Sequence, residues 1–176
     1  NTAPFEAAFH EEFDNVPDTA VPLAADLADK PARYKRAVGL FGETCYCLIT
    51  DRKSGTIKVS IRRDKTPPID FLSSFIANYK PNVNHCRVRF DGGGELGGNT
   101  EIHDLFSKAG YEVEVTPPDS SSAIGLAERP HRTIANAVRT MLYSAGLDLK
   151  YWPFALQYYV LIHNCLPHGD RGDSAY

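Results

Sequence analysis

From Val21 onward, the apolar positions fall into short blocks that switch between a period of two and a helical period. Val21-Pro-Leu-Ala-Ala-Asp-Leu-Ala reads as a short buried strand, and the polar stretch from Asp29 to Arg36 as a loop. Thr44–Thr50 and the clearly alternating Thr56–Arg62 are two further strands, and the turn Asp51–Gly55 makes them a hairpin. The period then becomes helical. Thr66 is read as an N-cap with Pro67 and Pro68 in the first turn, and Ile69, Leu72, Phe75, Ile76 and Tyr79 mark the buried face. A strand at Cys86–Phe90, a helix from Glu101 to Lys108 and a strand at Tyr111–Val115 follow. After a turn-rich loop that starts at Pro117, two helices close the chain, near 126–145 and 149–166.

Three strands, helix, strand, helix, strand and two helices predict the α/β class. The expected architecture is a mixed five-stranded sheet flanked by helices, antiparallel at first and continued through crossover helices. Residues 1–20 show no sustained period and carry many acids, so they are read as an acidic N-terminal arm, extended or partly helical. Residues 21–168 are read as one core domain and 169–176 as a flexible tail. The length of 176 residues allows one sizeable core and hardly two. A start at Asn1 without Met suggests a segment of a longer polyprotein.

Charge changes the picture once it is divided along the chain. Residues 1–30 hold seven acids (Glu6, Glu11, Glu12, Asp14, Asp18, Asp26, Asp29) against Lys30, and the other 146 residues are mildly basic, with 18 cations and 15 acids. An acidic arm before a basic body permits nucleic-acid binding without proving it. No apolar run approaches the length of a membrane span and no secretory h-region opens the chain, so an intracellular protein without membrane contact is expected. Cys45, Cys47, Cys86 and Cys165 are expected as reduced thiols. No nearby His or Cys completes a zinc set around Cys45 and Cys47.

Three carboxylates stand out. Asp26 lies inside an apolar block, where an ionised side chain is costly unless paired or metal-bound, although a strand-end Asp facing solvent explains it equally well. Asp91 follows a buried strand and precedes Gly92, Gly93 and Gly94, which leave room for a ligand or merely make an Asp-Gly turn. Glu128 opens a helix whose core stripe is read as Ile134, Val138, Met141, Leu142 and Ala145; it sits at that stripe's edge, or simply favours the helix N-terminus. Arg129 adjoins it. If the helix runs on past Pro130, Arg132 and Arg139 fall within roughly 40° of Glu128 and could hold DNA phosphates. A second basic group, Arg52, Lys53, Lys58, Arg62, Arg63 and Lys65, lies on the hairpin. Trp152, Tyr158 and Tyr159 are spaced for a mixture of core and surface.

Val88-Arg-Phe-Asp-Gly-Gly-Gly-Glu resembles the second-aspartate motif of copia-type (Pseudoviridae) retrotransposon integrases, and Gly125-Leu-Ala-Glu-Arg-Pro-His-Arg-Thr resembles their glutamate motif. The 36 residues between Asp91 and Glu128 are close to that family's gap. Ala24-Ala-Asp-Leu resembles the first-aspartate strand, and Tyr151-Trp-Pro-Phe-Ala and Asn164-Cys-Leu-Pro resemble the closing helix. The resemblance covers about residues 21–168. It implies a ribonuclease H-like fold, with Asp26, Asp91 and Glu128 holding two Mg²⁺ or Mn²⁺ ions and Asp29 as the fallback for the first position. It also implies DNA 3′-end processing and strand transfer, DNA as partner, a dimer or higher homo-oligomer, and a place in the nucleus and in cytoplasmic virus-like particles. Three positions depart from the family: Gly92 and Ile124 replace Asn, and Pro130 replaces a residue that is often Lys. Pro130 predicts a helix that starts near Ala127 or kinks. A decayed or domesticated core kept for DNA binding or oligomerisation, and a ribonuclease H-like nuclease, stay open beside the integrase reading.

Overall fold

The computed structural model describes residues 5–11, 37–52, 54–79, 86–90, 95–116 and 121–166, with 5–11 and 121–129 as backbone alone. Its strands are β1 (Phe5–Glu11), β2 (Cys45–Asp51), β3 (Ile57–Arg62), β4 (Cys86–Phe90) and β5 (Tyr111–Val115). Its helices are α1 (Ile69–Asn78), α2 (Thr100–Lys108), α3 (Ser121–Ser144) and α4 (Trp152–Cys165), with a 3₁₀ turn at Leu149–Tyr151. The strands lie in the order β3-β2-β1-β4-β5. β1, β2 and β3 pair antiparallel, whereas β4 runs parallel to both β1 and β5. The class is mixed α/β.

The strand between β2 and β4 is Phe5–Glu11, within the stretch read as an acidic arm, and not the block at 21–28, which lies outside the described residues. Phe-Glu-Ala-Ala-Phe-His-Glu contains no β-branched residue and is broken by acids, so its own pattern is weak. Ladders to β2 on one side and β4 on the other supply the backbone partners that make it a strand.

The hairpin is as its alternation suggests. Between β2 and β3, Gly55 takes a positive φ of 78° and its N–H donates to the Asp51 carbonyl at 2.8 Å. The Ser54 hydroxyl donates to the Asp51 carboxylate at 2.7 Å. Thr66 is not the cap of α1. That helix starts at Ile69 behind Pro68 with no side-chain cap, and the Thr66 N–H instead donates to Asp64 Oδ1 at 2.9 Å. Proline disfavours the helical region for the residue before it, which pushes the start past the pair. α2 has a side-chain cap in Asn99, whose Oδ1 accepts from the N–H groups of Glu101 and Ile102.

Alternation divides the sheet between two cores. Cys47, Ile49, Val88 and Phe90 face α1 and α2, and pack with Leu72, Phe75, Ile102, Phe106 and Tyr111. Tyr46, Leu48 and Ile57 face α3 and α4, and pack with Ile134, Ala135, Val138, Leu142, Trp152 and Leu156. Burial pushes the Tyr111 hydroxyl's pKa up to about 12, and that hydroxyl donates to the Tyr79 carbonyl. Ala145 lies past the end of α3 and is exposed, so it drops out of the expected stripe. Asn164, 1% exposed, docks α4 on β3: its Oδ1 accepts from Ile57 N–H and its Nδ2 donates to Ile57 C=O, both at 2.9 Å. All four cysteines are free thiols.

Candidate functional site

The parallel strands β1, β4 and β5 end on one edge of the sheet, the edge where open α/β sheets place ligands. Antiparallel pairing brings the start of β2 and the end of β3 to the same edge, since Cys45 stands opposite both Glu11 and Arg62. Phe90, the last residue of β4, pairs with Ala7 of β1 and Val115 of β5, and its carbonyl accepts from Thr116 N–H at 3.0 Å. Asp91 follows this doubly held strand end directly. Asp91 itself, with Asp26 and Asp29, lies outside the described residues.

α3 reaches the same edge. His131 Nδ1 and the Tyr46 hydroxyl share a hydrogen bond of 2.5 Å, and Tyr46 is the second residue of β2. Position 128 is one turn before His131 in α3, on the side of the helix start. The helix begins at Ser121, six residues earlier than the start expected near Ala127, and Pro130 stands inside it. Side chains of Glu128 and Arg129 are outside the description. Arg132 is exposed. Arg139 is half-buried, and its Nη1 donates to Asn136 Oδ1 at 3.3 Å.

The rim of this edge is polar. Thr66 donates through both its hydroxyl and its N–H to Asp64, which holds that carboxyl below its usual range. The Cys45 thiol donates to the Asp64 carbonyl at 3.1 Å, and burial pushes its pKa up. Lys65 pairs with Glu95 at 3.5 Å, joining the loop after β3 to the stretch after β4. Lys58, by contrast, stands 5.7 Å over the Tyr79 ring, on the α1 side of the sheet. Lys58 and Lys65 therefore have separate surroundings. Burial, and then the Arg139 charge, pushes the His131 pKa down.

Sequence reasoning passed over Tyr46, His131 and Glu95. The signal available was slight: His131 and Glu95 both lie inside the motifs quoted above. Of the aromatic residues marked on the last helix, Trp152 is fully buried, Tyr159 is half-buried and Tyr158 is exposed. Among the described residues, no three His, Cys, Asp or Glu side chains group as a metal site, and no helix is long and apolar enough to cross a membrane.

No protein-family model matches the chain. Among solved structures, it is similar to the crystal structure of the catalytic core domain of BIV integrase. The TM-score is 0.59 at 14% sequence identity, covering 100% of this chain and 92% of that one. At that identity the likeness is one of fold.

Proposed function

We propose that the chain is the catalytic core of a copia-type retroelement integrase, a ribonuclease H-like polynucleotidyl transferase that trims element DNA ends and joins their 3′-hydroxyls to target phosphates. One observation carries this reading: the strand that leads into Asp91 and the helix that carries Glu128 belong to a fold similar to an integrase core, with that helix tied to β2 through His131 and Tyr46. Asp91 and Glu128 supply hard carboxylate oxygens, the donors that Mg²⁺ or Mn²⁺ takes. Ions of this kind, expected as a pair, would when bound supply activation of the attacking hydroxyl and stabilisation of the leaving oxygen. Asp26 is the third ligand named by the sequence, with Asp29 behind it. The end of β1 adds Glu11 as a competitor, because that strand, next to β4, finishes on the same edge. Arg129, Arg132 and Arg139 are the phosphate contacts proposed for DNA, in the nucleus and in virus-like particles. Phe154, Tyr158 and Leu161 are exposed at helical spacing on α4 and are the face proposed for a homo-oligomer.

The test is a strand-transfer assay with Mn²⁺ on the chain and its Asp91→Asn and Glu128→Gln variants. Activity lost in both supports the reading; activity kept in either removes that residue from the ligand set. Asp26→Asn against Glu11→Gln decides the first ligand, and hydrolysis without joining favours a nuclease. A second reading, a non-catalytic core kept for DNA binding, is favoured by Ala7 and Ala8, which occupy β1 where it passes the end of β4. It predicts DNA retention with no strand transfer and no stabilisation by Mn²⁺.

A further inference from the structure

The described buried stripe of α3 runs through the half-buried His131 and the buried Ile134, Ala135, Val138 and Leu142. Position 128 is the next turn of that stripe toward the helix start. Between 128 and 131 stands Pro130, which has no N–H to give to the carbonyl four residues back and whose ring crowds the preceding turn. The backbone therefore ties the turn bearing Glu128 to the rest of α3 less firmly than an unbroken ladder would.

A side-chain bond lies at this weak point. His131, the first residue after the proline, meets the Tyr46 hydroxyl at 2.5 Å, with the rings 5.7 Å apart and tilted by 34°. Tyr46 is 0% exposed, belongs to a strand paired on both sides, and has the Trp152 ring 6.2 Å away. Its hydroxyl is thus held at a set place near the edge formed by the start of β2 and the end of β3. We propose that Tyr46 and His131 are a positioning pair, which fixes the helix just past Pro130 to β2 and so sets where the Glu128 turn meets the edge of the sheet. Burial and the nearby Arg139 favour a neutral imidazole, and in its Nε2–H tautomer Nδ1 accepts a hydrogen bond from the Tyr46 hydroxyl. The role of the turn in catalysis rests on the integrase reading; its anchoring does not.

Two measurements on the full 176-residue chain separate these claims. The first is amide hydrogen exchange over residues 126–134, without metal or DNA. Tyr46→Phe removes one hydroxyl and His131→Leu removes the acceptor. Both are expected to speed exchange there about fivefold while the α4 amides hold their rates, and His131→Gln, which restores an acceptor, should recover part of the protection. The second is the Mn²⁺ concentration needed for half-maximal strand transfer, which should rise about fivefold in Tyr46→Phe at unchanged DNA KM. Exchange unchanged over 126–134, or accelerated evenly through α3 and α4, would overturn the pair as a positioning device. An unchanged Mn²⁺ requirement alongside faster exchange would overturn its link to the site. If the unaltered chain transfers no strand, the integrase reading fails and exchange alone decides the anchor.

Discussion

On the α1 and α2 side, the sheet meets a core of aliphatic and aromatic side chains that continues from Cys47 to Tyr111. On the α3 and α4 side, the described apolar core of the sheet lies on β2 and β3, and polar devices surround it: the Tyr46–His131 bond, the Asn164 clasp on Ile57, and Arg87 and Arg89 paired with Glu112 and Glu114 on β4 and β5. The same alternation along each strand produces both faces. One stabilises through area removed from water; the other gains direction through hydrogen bonds, which orient the parts they join.

The sharpest way to test that contrast is in the first core. Phe106 is 0% exposed between Phe90 and Tyr111, at ring distances of 5.5 Å and 5.4 Å. Phe106→Ala should cost about 3–5 kcal/mol in urea unfolding, since the cavity cannot close against two other rings. A loss under about 1 kcal/mol would mean that this face is loosely packed. Asn164→Ala is the matching probe of the second face. It leaves both polar groups of Ile57 without their partner and should cost about 1–3 kcal/mol, read by the same unfolding.

A smaller effect appears with pH. His131 has its folded pKa depressed below the usual 6.5, first by burial and then by Arg139. The unfolded chain therefore binds the proton more readily at this group. Its contribution to stability is present above 6.5 and is lost as pH falls toward the folded value. His131→Gln should flatten that part of the stability profile; an unchanged slope would show that another group carries it. Smallest of all, Arg87→Ala should leave the unfolding midpoint unchanged, because its pairs with Glu112 and Glu114 are bathed in water.

The elements that sequence patterning named well are those whose own period is strong. β2, β3, β4, β5 and α2 lie within a residue of the positions that alternation or helical spacing suggests, because each buries one face of its own. β1 was hidden, since the strands beside it and not its composition make it a strand. α1 starts later than the Thr66 reading because two prolines intervene, and α3 starts earlier because one proline inside it does not stop it. At the candidate site, the flanking motifs single out Asp91 and Glu128, and the proposal of the site still rests on those motifs. Tyr46 was not, for a tyrosine in an alternating strand looks like core until its hydroxyl is seen to meet a histidine 85 residues away.

The sequence alone determined which segments are strand or helix over most of the described chain, and which carboxylates to examine. Those properties follow from residue type and local spacing. Only the tertiary structure decided that Phe5–Glu11 is the strand between β2 and β4, and that α3 and α4 pack on the same face of β2 and β3. It alone revealed a tyrosine and a histidine as the bond at a proline-weakened turn. Those facts depend on pairings between distant segments, which no local period encodes.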